Sequence, residues 1–342
     1  MLQGKELKYN PNPKILGLTL DEKCNFNKHI DTVEQKAQKS LGIIRNIKGI
    51  AKVSTKILIQ IYQSIVLSTM LYASSVWQIN NNTHINKLNA FQRKGLALCL
   101  NQPTTASIEA IEVVAGILPL DLKREEADNY GKTIHDIKIG ILALKSEGII
   151  VSIEWTPGHA DIQGNELADQ LAKKAAQEAE KIQSIPVFTK QDIQKGAKDS
   201  VMVKWQNRWD TSDKGRRYYA FQQNVKNTLP KDKPSIEIFR ITTSLRTGYC
   251  NLNFYKSTIC PALIDKCSCG QVETVDHYLL DCENYEEARE KLRSALYFIT
   301  AKLTLESEVL LATTENDNYK HHIEDIQHLL GVFIKDTGRI TK

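Results

Sequence analysis

IIVSIEWTPGHADIQGNELAD, residues 149–169, decides how the chain is read. Ile149 to Trp155 is an apolar run rich in β-branched residues, the pattern of a buried strand. Thr156, Pro157 and Gly158 turn the chain and expose His159. Gly164 precedes a predicted helix from about Asn165 to Ile182. Leu167, Leu171, Ala175 and Ala179 recur there every four residues and form an apolar stripe suited to packing on a sheet. Asn165 and Asp169 lie one helical turn apart and share a face. An aspartate so placed can hold a divalent cation, and a loop histidine beside it can move protons or assist product release. The same spacing also suits a helix cap, a solvated aspartate and a turn histidine.

Outward from this stretch the pattern is mostly helical. Residues 15–20 read as a short buried strand. Ile30, Val33, Ala37, Leu41 and Ile44 recur at spacings of three and four, which predicts a helix from about His29 that Gly49 stops. A second helix fits Ser54–Ser74, apolar on most sides and hence central. Thr83 and Ser107 are placed to cap two more. Leu122–Lys145 reads as a long helix with weak points at Gly131 and Gly140. Further helices are expected at 191–210, 234–248, Tyr285–Ile299 and His321–Lys335.

Composition sets bounds. The chain has 342 residues, room for two or three domains at roughly 100–200 residues each. Its 45 Lys and Arg against 40 Asp and Glu give a net charge of +5, too mild to select a partner. The charge is uneven: Lys190–Arg246 holds 13 basic and 6 acidic residues, a local +7. Seven cysteines are too few and too clustered for a disulfide framework, which implies an intracellular chain, in nucleus or cytoplasm, with a local thiol site. The start lacks an apolar signal segment, and the apolar stretch near Ile57–Met70 is broken by Gln60, Gln63 and Ser64, so no membrane span is expected.

Cys267, Cys269, His277 and Cys282 follow the pattern Cys-x-Cys-x7-His-x4-Cys. Three thiolates and an imidazole suit a tetrahedral zinc ion, and Gly270 permits the tight turn that brings the first pair together. Reduced, partly buried thiols are the plainer alternative, and Cys260 is near enough to replace one ligand. A set with no open position and no general base is structural, not catalytic. In the basic segment Trp205 and Trp209 alternate with Arg208, Lys214, Arg216, Arg217, Tyr218 and Tyr219. Such a strip can pair phosphates with cations and stack bases on rings, and Arg216, Arg217, Arg240 and Arg246 are the candidate phosphate contacts. The i,i+4 tryptophans equally fit core positions. Arg93 and Lys94 are further candidates.

The segment 155–169 resembles the end of a type 1 ribonuclease H domain as carried by non-LTR retrotransposon polyproteins. By that resemblance His159 takes the loop role, Asp169 is the last metal-binding carboxylate, and Asn165 and Glu166 hold the turn between them. LGLTLDEKCNFNKHI (16–30), IYQSIVLSTMLYASSVW (61–77) and LNAFQRKGLALCLNQPTTASIEAIEVVAGILPLDLKR (88–124) resemble, in order, post-palm, thumb-region and connector elements of the same polyproteins. SLRTGYCNL (244–252), the Cys/His stretch and ExYxxxR (283–289) resemble their C-terminal CCHC-like segment, with Tyr249 where histidine is common.

The resemblance implies an α/β fold, predominantly helical, with a partial ribonuclease H-like fold flanked by helical regions. It divides the chain into a thumb-like helical region (1–118), a truncated ribonuclease H-like segment (119–184), a basic helical linker (185–255) and a zinc-binding-like tail (256–342). A working hybrid nuclease clamps two divalent cations with several carboxylates. The chain has no DGS motif for the first of them and no Asp-Asp pair for a polymerase site. The expectation is therefore a catalytically incompetent, retrotransposon-derived fragment with a structural zinc ion. It would bind RNA, single-stranded DNA or RNA–DNA hybrid and work beside other retrotransposon-encoded chains. The alternatives are an RNA–DNA hybrid ribonuclease, using Mg²⁺ or Mn²⁺ once a complete site is supplied, and a poorly folded remnant.

Overall fold

The computed structural model describes residues 10–21, 25–50, 52–74, 77, 82–126, 140, 143–144, 146–149, 166–171, 173–174, 190–231, 233–301 and 304–340. The chain divides into two compact units, Met1–Arg124 with Met202–Lys342, and Glu125–Val201. Among the described residues no helix is long and apolar enough to cross a membrane.

The first unit opens with a hairpin, β1 (Lys14–Ile15) and β2 (Leu18–Thr19), paired antiparallel. Leu16 and Gly17 both have positive φ, 47° and 86°, so they reverse the chain within the stretch expected to be one strand. Tyr72 Oη donates to the Leu16 carbonyl at 2.8 Å and ties the turn to the bundle.

Helix α1 (Asn27–Ile50) buries Ile30, Val33, Ala37, Leu41 and Ile44, the predicted stripe. Ser54 caps α2 (Thr55–Ile61), its hydroxyl accepting from the Ile57 amide at 3.2 Å. The expected single helix continues through a π-helical turn (Tyr62–Leu67) into α3 (Ser68–Leu71). The turn aims the fully buried Tyr62 ring at Gly95 of α4 (Asn82–Leu100), where a Cβ would collide with it. α5 (Ile108–Ala115) is capped by Ser107, whose hydroxyl accepts from Ala110 N at 3.3 Å. It ends on Gly116, left-handed at φ 64°, with Ile117 N donating to Glu112 O at 3.0 Å. A side chain at Gly116 would strike the Thr228 backbone.

Residues 120–126 form a helical turn, and Asp121 there accepts both terminal nitrogens of Arg208, at 2.9 and 2.6 Å. Arg208 lies on α6 (Lys190–Thr211), which also carries Trp205 and Trp209, both buried core residues. Then follow α7 (Arg216–Tyr219), α8 (Ile236–Thr247), α9 (Asn253–Ile259), α10 (Glu286–Thr300), α11 (Ser307–Leu310) and α12 (Ile323–Thr337). Leu245, Leu252, Tyr278, Leu279, Leu292, Leu310, Leu330 and Phe333 form their shared core. This part docks on the N-terminal bundle: Gln102 donates to Ser244 Oγ at 2.9 Å, and Thr105 hydrogen-bonds Tyr255 Oη at 2.7 Å.

The expectation of an α/β architecture with a partial ribonuclease H-like sheet is overturned. The described residues are predominantly helical, and their only sheet is the two-stranded hairpin at the front of the chain. Ile149, where the central strand was to begin, is 48% exposed and not in a strand, and 150–155 lie outside the described residues. In the second unit residues 166–171 and 173–174 are helical as expected. Leu167 and Leu171 are nevertheless 56% and 57% exposed, so the start of the stripe meant for a sheet is not buried. An apolar stripe at helical spacing specifies a face; it does not supply the strands to cover it.

Candidate metal centre

Between α9 and α10 the chain folds into a compact knuckle. Lys266 and Val272 form an antiparallel bridge, and Cys267 N donates to Gln271 O at 2.8 Å. Gly270 N donates back to Cys267 O at 2.9 Å, with Gly270 at φ 92°, a conformation side chains resist. The tight turn brings Cys267 and Cys269 onto one point. Thr274 Oγ1 then accepts from His277 N at 3.1 Å and starts a π-helical turn, His277–Asp281. The wider pitch of that turn carries Cys282 back beneath His277, with Cys282 N donating to His277 O at 2.8 Å.

One ligand atom from each of Cys267, Cys269, His277 and Cys282 lies within 4.8 Å of the other three. Cys267 Sγ is 3.6 Å from Cys282 Sγ, which is 3.9 Å from Cys269 Sγ, and Cys269 Sγ is 3.3 Å from His277 Nε2. A zinc tetrahedron with Zn–S of about 2.3 Å and Zn–N of about 2.0 Å has edges of roughly 3.5–3.8 Å. The observed spacings fall around that figure, so donor chemistry and geometry both fit. Cys267, His277 and Cys282 are buried and Cys269 is half-buried. Cys260 is exposed and outside this group.

Cys267 and Cys282, neighbours in this cluster, are pushed in opposite directions. Burial opposes ionisation of Cys267, but the Cys269 backbone amide and the His277, Cys282 and Cys269 side chains outweigh it and bring the thiol down to about 6. Burial, together with the neighbouring Cys267 and Cys269, pushes Cys282 up to about 12. The Cys267 thiolate is thus favoured over that of Cys282, and a divalent cation would favour both.

The surrounding shell was not legible as such. Asn284 Nδ2 donates to Ser268 Oγ at 2.8 Å and approaches Cys267 Sγ at 3.7 Å. Arg289, fully buried, donates from Nε to Leu279 O at 3.2 Å and from Nη2 to Cys282 O at 2.6 Å, and it pairs with Glu286. Glu273, 1% exposed, accepts a two-pronged pair from Arg339 at 2.7 and 2.6 Å and also the Asn253 amide at 2.7 Å. The tail of the chain thereby clamps the knuckle. The sequence signal for both was a buried-type position held by a charged residue within the ExYxxxR and CGxxET elements.

The four candidate phosphate arginines all donate to main-chain carbonyls. Arg216 bonds Asp210 O and Trp209 O at 2.9 and 2.7 Å and lies 3.8 Å above the Tyr219 ring. Arg217 reaches Leu245 O and Asp276 Oδ1, both at 3.2 Å. Arg240 donates to Val53 O at 3.2 Å. Arg246 is buried, bonded to Leu311 O and Ala312 O at 2.8 and 2.6 Å, and burial lowers its pKa to about 10. Tyr249, in the position where the resemblance expects histidine, accepts from Ser107 N at 2.9 Å and packs edge-on against Tyr255.

Of the predicted hydrolytic set, Glu166 and Asp169 are half-buried on one helical stretch. His159 and Asn165 lie outside the described residues. Asp169 belongs to no cluster of three or more potential ligands among the described residues.

Comparison with known proteins follows the same direction as the knuckle. The chain is similar to a retrovirus-related Pol polyprotein from the type-1 retrotransposable element R1 of Bradysia coprophila, 24% identical over 298 residues, covering 84% of this chain and 26% of that protein. It is also similar to the R1 2 Pol polyprotein of Nasonia vitripennis, 25% identical over 292 residues, 83% of this chain and 62% of that protein. A shorter match is to an RNA-directed DNA polymerase from the mobile element jockey of Drosophila melanogaster, 30% identical over 96 residues, 28% of this chain and 10% of that protein. No family model and no solved structure matches. These similarities link the chain at family level to R1-type retrotransposon Pol polyproteins. The chain spans about a quarter of the Bradysia relative and 62% of the Nasonia one.

Proposed function

We propose that this chain is a non-catalytic nucleic-acid-binding portion of a retrotransposon Pol polyprotein, built around one structural zinc ion. The observation that carries the reading is the closed set of Cys267, Cys269, His277 and Cys282, whose ligand atoms gather at tetrahedral spacing. Four protein ligands leave no open position for a water or substrate, so a metal there would fix the knuckle instead of activating a nucleophile. The similarity to Pol polyproteins makes RNA, single-stranded DNA or RNA–DNA hybrid the natural partner. Asp169 alone does not make a two-cation phosphodiesterase.

The test is retention of labelled RNA and single-stranded DNA by zinc-loaded protein across a salt series, beside a hybrid-cleavage assay with Mg²⁺ and Mn²⁺. Binding that weakens steeply with salt, without cleavage, is the expected result. No binding at low salt overturns the reading. Hybrid cleavage abolished by Asp169→Ala replaces it with a nuclease.

A further inference from the structure

Residues 35–108 contain nine Lys and Arg and not one Asp or Glu. The fold brings part of this acid-free stretch together. Gln38, Leu41, Arg45 and Lys48 of α1 face Lys94, Ala97, Leu98 and Asn101 of α4 across a hollow of about 420 Å³, closed at one end by Gln102, Pro103 and Thr104. Among the described residues no carboxylate lines it. Arg45 and Lys94 are exposed on its rim. Lys48 sits deeper, donating to Leu98 O at 2.9 Å and to Asn101 Oδ1 at 2.8 Å. Burial and the nearby Arg240 cation lower its pKa. Asn101 also lines a second hollow of about 190 Å³, shared with Arg240, Ser244, Tyr249 and Asn251.

Like charges gathered in a cleft repel one another, and low-dielectric walls focus the resulting field outward. Repulsion between Lys48 and the nearby Arg240 works against stability, although both also brace the fold through hydrogen bonds. The same cations attract anions spaced along a track. Asn101 lines both hollows; cations flank the first, and a half-buried tyrosine ring, Tyr249, lines the second.

We propose that this cleft seats the phosphodiester backbone of a single-stranded nucleic acid, with Arg45, Lys48 and Lys94 facing phosphates and Arg240 and Tyr249 continuing the track. The proposal rests on the nucleic-acid-binding reading above and gives it a location, one distinct from the aromatic strip of α6 and α7. Arg45 and Lys94 carry the separable part of the binding, because neither braces the fold as Lys48 and Arg240 do.

The experiment measures anisotropy of labelled 20-mers of dT and rU on the zinc-loaded full chain between 50 and 300 mM salt, with duplex DNA as competitor. Arg45→Gln/Lys94→Gln is compared with Lys291→Gln/Lys335→Gln, which removes the same charge from α10 and α12. The first pair is expected to weaken binding roughly tenfold at 50 mM salt and to reduce the salt slope by about 1.4, two single-strand phosphates. The second is expected to change binding less than twofold. Photo-crosslinked 4-thiouridine RNA on the unaltered protein should map to residues 38–48, 94–104 or 240–251, a readout that no folding defect can mimic. Equal binding by the cleft variant, equal weakening by the control, adducts confined elsewhere, or duplex competing as well as single strand each overturns the location. Absence of any binding by the unaltered protein overturns the nucleic-acid reading itself, and the location with it.

Discussion

Arg289 Nη2 donates to the Cys282 carbonyl oxygen at 2.6 Å, placing a fully buried guanidinium directly behind a candidate metal ligand. Its Nε holds Leu279 O as well, so one side chain satisfies two carbonyls left over where the π-helical turn ends. Arg289→Met removes these donors, leaves Cys282 free to swing, and is expected to lower zinc affinity about 10- to 100-fold. Competition against a chromogenic chelator measures this. Affinity within twofold of the original would show that Arg289 does not position the ligand.

Metal analysis of purified protein should return one equivalent of zinc. Cys282→Ser should lose most of it and melt earlier, because binding free energy at such a site is folding free energy. Cys260→Ser should keep the full equivalent, since Cys260 is exposed and outside the cluster. Loss of zinc from the Cys260 variant would reassign the ligand set.

The Glu273–Arg339 pair joins the knuckle to the end of the chain at 2.6 Å, with the Glu273 side chain 2% exposed. Arg339→Met strands that carboxylate and is expected to cost roughly 3 kcal/mol. Adding Glu273→Gln should recover a good part of the loss. Urea melts of the two single variants and the double variant supply the coupling energy, and a value near zero would disprove the clamp.

Glu112 on α5 is buried, and that burial raises its pKa from 4.5 to about 8 despite the hydrogen bond from Gln92 at 2.7 Å. The folded state therefore holds a proton that the unfolded state releases above about 4.5. The sign follows: stability is highest below pH 4.5 as far as this group is concerned, and falls as pH rises toward 8. Glu112→Gln keeps the shape without the charge. It should flatten the dependence of unfolding free energy on pH between 5 and 8 and stabilise at pH 8 by a few kcal/mol. An unchanged pH profile would refute the assignment.

The helices were legible where burial repeats along one face. The α1 stripe, the Ser54–Leu71 helix, the Ser107 cap and the Trp205–Trp209 core positions all follow from spacing and side-chain chemistry. The Cys/His cluster was legible because Cys and His at tight spacing have few other uses. What spacing did not reveal was long-range partnership. Leu16 and Gly17 turn back on each other instead of extending, which depends on left-handed backbone at a leucine. The stripe at Leu167 and Leu171 suggested a sheet, but a helix pattern carries no information about the strands opposite it. The pairing of Glu273 with Arg339 and the bonds from Arg289 to Leu279 O and Cys282 O join separate elements, which spacing along one element does not show. The acid-free run at 35–108 is countable in the sequence, but the count does not show that Arg45, Lys48 and Lys94 line one hollow.

The two-pronged pairing of Asp121 with Arg208 gives the chain a single doorway. The second unit, Glu125–Val201, lies in the chain between these two residues of the first unit, whose core is drawn from Met1–Arg124 and Met202–Lys342. Lengthening such an excursion twofold adds only about 0.6 kcal/mol of closure cost. A chain built this way can vary in length between residues 125 and 201 while the first unit keeps its own core contacts.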